Sequence, residues 1–245
     1  MRPCLLLTRP QADSALFAQR VRAEGWVGEV LFSPVLKIVL QPPKPAQLDT
    51  ANTLVFTSQH AVAALVAATE RRDWPVWAVG PRTAQAAQEA GFRDLRQSGG
   101  DAKALLHDLT RDPPMPPVLH LRGQHAASDI ARHLRAAGQE ADAVVVYRQD
   151  ACALSPEAML RLRQGGDVIL PVFSPRSARL LSSALLAQTA ITARLHLIAI
   201  SDAAALPLNP VAAARCCIAT RADAHAMRDA VLAVQATLEP WEKPR

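Results

Sequence analysis

Short apolar runs alternate with longer segments of helical periodicity along most of the chain. The runs are rich in β-branched and aromatic residues and predict strands, whereas the segments between them predict helices. This repeated strand–helix order is typical of parallel sheets with helices on both faces. The predicted strands are 3–8, 30–32, 36–40, 53–57, 76–79, 94–96, 118–121, 143–147, 168–173, 195–200 and 215–220. The predicted helices are 59–70, 102–109 with Asp101 as N-cap, 126–137, 175–187, 202–207 and 223–237, with two more ending near residues 24 and 90.

The two β stretches at 36–40 and 143–149 are not part of a strand–helix unit. The first leads into the proline cluster 41–45, which is the best candidate boundary because proline stiffens linkers. We expect the two stretches to pair as a hinge. The sequence therefore predicts an α/β fold of two lobes, each a parallel sheet flanked by helices, joined by a two-stranded β hinge. Residues 1–35 and 150–245 form a discontinuous first lobe, 41–142 the second lobe, and 36–40 with 143–149 the hinge strands.

Several predicted strands end at a hydroxyl or a turn residue that a helix immediately follows. Phe56-Thr57-Ser58 and Phe173-Ser174-Pro175 show this most clearly. The carboxyl ends of parallel strands share one edge of a sheet, where helix N-termini offer free N–H groups and a positive dipole end to anions. Plain N-capping is the alternative role of Ser58 and Ser174. The six turns of this kind lie at Thr8, Ser58, Gly80, Arg122, Ser174 and Ser201.

Arginine supplies nearly all the positive charge of this chain, whose formal net charge is +5. Codon bias is the simpler explanation of this excess, and attraction of an anionic ligand is the alternative. Nucleic acid is not an expected partner, because the cations are dispersed and aromatic residues make up only 4% of the chain. No apolar run reaches the roughly 18 residues of a membrane span, and the N-terminal run is too short for a signal peptide. We therefore expect a soluble cytoplasmic protein.

The residue spacings argue against several classes of site. Four cysteines show no metal-binding spacing, and Cys4, Cys216 and Cys217 lie in apolar runs that predict core positions. The seven histidines form no i,i+4 pair beside an acid, so no metal is expected. No Gly-x-Gly occurs, which argues against a dinucleotide site or a Walker loop. No Gly-x-Ser-x-Gly elbow occurs either, which argues against a serine hydrolase.

Seven short motifs in this order resemble the uroporphyrinogen-III synthase family over nearly the whole chain. They are Thr8-Arg9-Pro10, Ser33-Pro34, Phe56-Thr57-Ser58, Val79-Gly80-Pro81-Arg82-Thr83-Ala84, Leu121-Arg122-Gly123, Val146-Tyr147 and Phe173-Ser174-Pro175. The resemblance implies two α/β lobes with the site between them. It also implies a cofactor-free lyase of tetrapyrrole (heme) biosynthesis, which closes hydroxymethylbilane to uroporphyrinogen III through a spiro intermediate with loss of water.

The resemblance also implies roles for individual residues. Tyr147, the only tyrosine of the chain, is the expected catalytic residue, as a hydrogen-bond donor to the departing hydroxyl. A hinge tyrosine packed for its ring is the alternative. The hydroxyl of Thr83 faces either the cleft or solvent, and Arg9 and Arg122 are either carboxylate clamps or solvated charges. The expected substrate-binding residues are Thr8, Arg9, Ser58, Gly80, Thr83, Arg122, Gly123, Ser174 and Ser201.

Two segments depart from the family pattern. The turn 200–205, in the first lobe, lacks the glycine and threonine that are usual in the family, and 126–128 stand where the family often has an arginine. These losses leave two alternatives to the synthase: a non-catalytic, two-lobed protein that binds an anionic tetrapyrrole, and a degenerate synthase homologue. The expected partner is hydroxymethylbilane, with hand-over from hydroxymethylbilane synthase. The chain is expected to be a monomer, with no nucleic-acid or membrane partner.

Overall fold

The computed structural model describes residues 2–100, 102–125 and 128–238. The predicted N-cap Asp101, the residues Ala126 and Ala127, and the tail 239–245 lie outside the described residues. The chain divides into two compact units: unit 1 is residues 1–37 with 151–245, and unit 2 is residues 38–150. Within the described ranges, none of the helices combines the length and the apolar composition of a membrane span.

Strands and helices alternate through both units, as the apolar pattern predicts. The strands are β1 Cys4–Leu7, β2 Glu29–Phe32, β3 Leu36–Leu40, β4 Thr53–Phe56, β5 Val76–Val79, β6 Leu95–Ser98, β7 Val118–Gly123, β8 Ala141–Ala151, β9 Asp167–Val172, β10 Arg194–Ala199 and β11 Arg215–Ile218. The helices are α1 Gln11–Ala23, α2 Pro45–Leu48, α3 Gln59–Val66, α4 Gly80–Glu89, α5 Ala102–Arg111, α6 Ile130–Ala136, α7 Pro156–Arg163, α8 Pro175–Leu186, α9 Asp202–Ala205 and α10 Ala224–Thr237. A 3₁₀ turn, Leu206–Leu208, follows α9.

Unit 1 is built on a five-stranded parallel sheet in the order β11-β10-β9-β1-β2. Its strand β1 is completely buried, because helices cover both faces of the sheet. Successive side chains of a strand point to opposite faces. Leu6 therefore packs in one core cluster, whereas Leu5 and Leu7 pack in another. A continuous apolar run rather than an alternating one is the expected pattern of such a strand.

Unit 2 is built on a six-stranded sheet in the order β3-β8-β7-β4-β5-β6. Strands β8, β7, β4, β5 and β6 pair in parallel, and β4 lies near the centre. Phe56 packs on the face that carries Phe92 and Leu121, whereas Val55 packs on the face that carries Leu105. The prediction of two parallel α/β sheets flanked by helices is confirmed by these two sheets.

The two predicted hinge strands do not form a separate ladder. Strand β8 has eleven residues, and its first seven pair with β7, from Val118 opposite Ala141 to Gly123 opposite Tyr147. Strand β3 is the next strand on the other side of β8. The segments 36–40 and 143–149 are therefore an edge of the unit 2 sheet, and a hinge role for them stays a prediction.

Some local predictions were wrong. Helix α6 begins at Ile130, not near 126, and Asp129 caps it by accepting a hydrogen bond from Arg132 N at 3.0 Å. Helices α2 and α7 were not predicted, since proline begins each of them and reads equally well as a loop. Cys216 is exposed and Cys217 half-buried, because β11 is an edge strand. Only Cys4 is a core cysteine of the three.

Candidate functional site

Four predicted site residues lie at the carboxyl-end edge of the unit 1 sheet. Thr8 follows β1, Ser174 follows β9 after one residue, and Ser201 follows β10 after one residue. These three strands are neighbours in the sheet, so the parallel arrangement places their ends side by side. Arg9 comes directly after Thr8.

The two serines of this edge differ in how they begin a helix. Ser174 Oγ accepts a hydrogen bond from Ser177 N at 3.1 Å and lies 3.0 Å from Ser177 Oγ, which makes it a true N-cap of the twelve-residue helix α8. Ser201 precedes α9, which has only four residues, and its side chain makes no capping bond. The helix dipole acts through aligned peptide units, so the turn at Ser201 offers an anion less than the turn at Ser174.

Arg9 is held by aromatic and acidic neighbours. Its guanidinium lies 4.3 Å from the ring centroid of Phe173, and it forms an ion pair with Asp13 at 3.4 Å. Phe173 is itself packed edge-to-face on Phe17 at 5.0 Å. Only 19% of the Arg9 side chain is exposed, and its role as a carboxylate clamp stays a prediction. The adjacent hydroxyl of Thr8 is buried without a hydrogen-bond partner among the described residues.

The other six predicted residues lie at or next to the carboxyl-end edge of the unit 2 sheet. Ser58 follows β4, Gly80 follows β5, and Arg122 and Gly123 end β7; these strands are again neighbours. Ser58 Oγ accepts a hydrogen bond from His60 N at 3.2 Å and caps α3. Gly80 begins α4 with φ +74°, a left-handed conformation that favours glycine.

Two further residues of this edge have a definite environment. The side chain of Thr83 is buried in the first part of α4, so it does not face solvent. Arg122 is half-buried: it donates to Gly123 O at 3.3 Å, and its Nε is buried without a hydrogen-bond partner in the part of the chain that the structure describes. A carboxylate is the natural acceptor for such an N–H group.

Tyr147 and Gly123 are opposite each other in the β7–β8 pair, next to a β-bulge between Arg122 and Gly123. The Tyr147 ring lies so close to Gly123 that a Cβ added there would be 2.5 Å from Cζ and 2.7 Å from the phenol oxygen. The backbone is tied at the same point, because Gln124 N donates to Tyr147 O at 2.9 Å. Two residues that the family pattern selects separately are therefore one packed unit.

His60 is a neighbour of Tyr147 that the sequence did not single out. The two rings meet edge-to-face, with centroids 5.5 Å apart and an interplanar angle of 61°. His60 is half-buried and is also the residue whose N–H is capped by Ser58. The helix start after β4 and the catalytic candidate on β8 thus share one neighbour, His60, which contacts Ser58 through its backbone N–H and Tyr147 through its ring. In the sequence, the only feature that indicated a role for His60 was its position two residues after Ser58.

A second missed histidine, His120, lies in the middle of β7 and is completely buried. Its Nε2 is 3.2 Å from Thr57 Oγ1. Burial, and next the charge of Arg122, lower the pKa of His120 to about 4, so its ring is neutral near pH 7. The sequence feature that could have indicated this buried histidine is its position inside the apolar run 118–121. The nearby Asp129 has a lowered pKa, chiefly because its carboxylate accepts the Arg132 N–H.

These edges are suited to hold an anionic small molecule. They offer capped helix starts, partly buried guanidinium groups and hydroxyls. Within residues 2–100, 102–125 and 128–238, no group of three or more His, Cys, Asp or Glu is placed to hold a metal ion. A groove of about 620 Å³ lies elsewhere, between β11 and α10, and none of the predicted site residues lines it.

One family model matches most of the chain, and solved structures share its fold. The family model described as uroporphyrinogen-III synthase HemD matches residues 16–229. The crystal structure of uroporphyrinogen-III synthetase from Helicobacter pylori 26695 has a TM-score of 0.63 at 18% identity, covering 96% of this chain and 100% of that one. A mutant uroporphyrinogen III synthase from the extremely thermophilic bacterium Thermus thermophilus gives 0.50 at 16% identity, covering 95% and 99%. A comparison with curated proteins found no match.

Proposed function

The chain belongs to the uroporphyrinogen-III synthase family, as its motifs predict, and we propose that it closes hydroxymethylbilane to uroporphyrinogen III. The family is one of lyases in tetrapyrrole synthesis. In the proposed reaction the linear tetrapyrrole loses its terminal hydroxyl as water, ring D is inverted through a spiro intermediate, and the macrocycle closes.

Substrate binding is proposed to rest on donors at the carboxyl-end edges of the two sheets. The substrate carries many carboxylates, which need hydrogen-bond donors and positive charge. In unit 1 the donors are Thr8, Arg9 and the helix start at Ser174, with a smaller share for Ser201. In unit 2 they are the helix starts at Ser58 and Gly80, with Thr83 beside the second, and Arg122. Helix N-termini and guanidinium groups bind carboxylates strongly.

The observation that carries the proposal is the packing of Tyr147 on Gly123. A tyrosine placed only to fill a core does not require the opposite residue to lack a side chain, yet here the phenol occupies that space. We propose that the phenol donates a hydrogen bond to the departing hydroxyl. The C–O bond breaks as the phenol passes its proton to the hydroxyl, which leaves as water. The pyrrole that carried the hydroxymethyl group gives up its N–H proton, which restores the phenol, and so becomes the azafulvene. The substituted carbon of ring D then attacks the methylene carbon of the azafulvene.

Positioning is the larger part of the proposed catalysis. The azafulvene reacts readily once formed, and in water it closes without inversion of ring D. The protein must therefore hold a folded conformer in which the substituted carbon of ring D is the nearer nucleophile. General-acid help from a positioned side chain typically adds ~10²–10⁴-fold. Gly123 would contribute by leaving room for the ring of Tyr147.

The alternatives differ in chemistry rather than in fold. A non-catalytic tetrapyrrole binder or a degenerate homologue would keep the donors and lose the turnover. The short helix α9 after Ser201 is the weakest part of the proposed site, but no observation favours either alternative. Hand-over from hydroxymethylbilane synthase, the monomeric state and the cytoplasmic location remain predictions.

The proposed function is tested by identifying which porphyrin isomer the protein produces. Hydroxymethylbilane is generated in situ from porphobilinogen with purified hydroxymethylbilane synthase, the protein is added, and the oxidised porphyrins are resolved into type I and type III. We expect type III to rise with protein concentration, while a protein-free control gives type I. Type I alone at every concentration would exclude the synthase.

A further inference from the structure

We propose that His120 is a positioning residue, which turns the hydroxyl proton of Thr57 outward to a carboxylate of the substrate. This inference rests on the proposed function and adds two residues to it. His120 lies on β7, opposite Val55 of β4, and Thr57 is two residues beyond Val55. The contact is therefore a diagonal one between neighbouring strands, at the edge where Ser58 begins α3.

The imidazole can act only as a neutral hydrogen-bonding group. It is fully buried, and its one hydrogen-bond partner among the described residues is Thr57 Oγ1, at 3.2 Å from Nε2. Its Nδ1 is buried and has no partner there. The positive charge of Arg122, two residues along the same strand, opposes a second proton on the ring.

The unpartnered Nδ1 decides which nitrogen carries the proton. With the proton on Nδ1, a buried N–H would be left without an acceptor, and orphaned buried donors are rare. With the proton on Nε2, the bare Nδ1 is only an unused acceptor. The structure thus favours the Nε2–H tautomer, in which His120 donates and Thr57 Oγ1 accepts.

The direction of this bond leaves the Thr57 hydroxyl with its own proton to donate. Thr57 is half-buried rather than fully buried, and it stands directly before the N-cap Ser58, where the proposal places a carboxylate of the substrate. A carboxylate is an acceptor only, and it needs a donor oriented in advance. His120 would supply that orientation without contacting the substrate.

A double-mutant cycle tests the coupling. The variants are Thr57→Val, His120→Met and the double variant, with His120→Gln as the conservative control because its amide NH₂ can still donate to Thr57. KM and kcat for type III formation are measured for each. We expect Thr57→Val and His120→Met each to raise KM about tenfold, which is the loss of one hydrogen bond to a charged group. The double variant should be no worse than Thr57→Val, and His120→Gln should stay within about threefold of the parent.

Two results would overturn the proposal. One is a double variant in which the two single effects multiply, since residues that act independently give additive free energies. The other is an Nδ1–H tautomer for His120 in ¹⁵N NMR of the histidine-labelled parent protein, its signals being identified as those that move in Thr57→Val. The NMR result needs no activity and holds even if the His120 variants do not fold. A parent protein that forms no type III porphyrin would contradict the proposed function instead.

Discussion

The ring of Tyr147 packs directly on the backbone of Gly123, which leaves no room for a side chain at position 123. A Cβ there would come within 2.5 Å of the ring, far inside normal contact distance. The backbones of the two residues are held opposite each other by the β7–β8 pairing and by the bond from Gln124 N to Tyr147 O, so a side chain at position 123 would have to displace the ring. The family's glycine and tyrosine are therefore parts of one geometric requirement.

Gly123→Ala should displace the phenol and lower kcat for type III formation by about 10²-fold or more, comparable to loss of the general acid. Gly100→Ala is the matched control, because the space around Gly100 is open and its substitution should leave kcat unchanged. Both variants are assayed by product isomer and by urea unfolding. Full activity in Gly123→Ala would show that the close packing has no catalytic purpose.

Tyr147→Phe should keep the fold and lose the chemistry. The ring contacts with Gly123 and His60 need no hydroxyl, so the free energy of unfolding should change by less than about 1 kcal/mol. We expect kcat to fall by ~10²-fold with KM nearly unchanged, because the phenol acts on the departing group. Undiminished turnover would leave Tyr147 as a packing residue.

Ser174 allows capping and ligand binding to be separated. Asp and Asn both cap helices well, so Ser174→Asp and Ser174→Asn should each keep α8 stable to within about 1 kcal/mol in thermal unfolding. Only aspartate adds a negative charge that repels the carboxylates of the substrate. We expect KM to rise about tenfold or more in Ser174→Asp and to change little in Ser174→Asn. Equal KM values in the two variants would mean that Ser174 serves only as a cap.

Protonation of His120 should make the protein less stable in mild acid. Burial lowers its pKa in the folded protein to about 4, below the usual 6.5, so between these pH values the unfolded chain binds a proton that the folded chain does not. Its contribution is therefore fully present above about pH 6.5 and is lost as the pH falls towards 4, by ~3 kcal/mol in all. Urea unfolding from pH 7 to 4 measures this slope. His120→Gln should be flatter over that range, and an equally steep variant would contradict the assignment.

Asp167 should be important for stability and not for turnover. It begins β9, at the amino-terminal edge of the unit 1 sheet. Burial alone raises its pKa, but hydrogen bonds from Arg194 at 2.7 Å and His196 at 2.8 Å outweigh burial and lower it. This stabilisation is present above the carboxyl's usual pKa and disappears as the pH falls through the lowered value.

Asp167→Asn should accordingly cost about 1–3 kcal/mol at pH 7, with a smaller difference from the parent in strong acid. Chemical unfolding at pH 7 and pH 3 measures it, and kcat for type III formation should be unchanged. A large loss of turnover in a well-folded Asp167→Asn protein would show that the amino-terminal edge takes part in the reaction.

The order of strands and helices could be read from the sequence because it depends on local patterns. Continuous apolar runs such as 4–7 and 168–172 predict strands buried on both faces, and both are. Ser58 and Ser174 marked helix starts correctly, since an N-cap is a contact between residues two or three apart. The predictions failed where local signals are ambiguous, as at α2 and α7, where proline can begin a helix or a loop.

The sequence by itself determined the family and the alternation of elements, and it placed the residues of the candidate site at the ends of strands. Only the tertiary structure decided that Gly123 and Tyr147 touch, that His60 joins Tyr147 to α3, and that His120 reaches Thr57. The two residues of these three pairs are separated by 24, 87 and 63 positions in the sequence. Such contacts depend on strand order, on register and on the bulge beside Gly123. Those features come from the packing of whole sheets, which no window of neighbouring residues encodes.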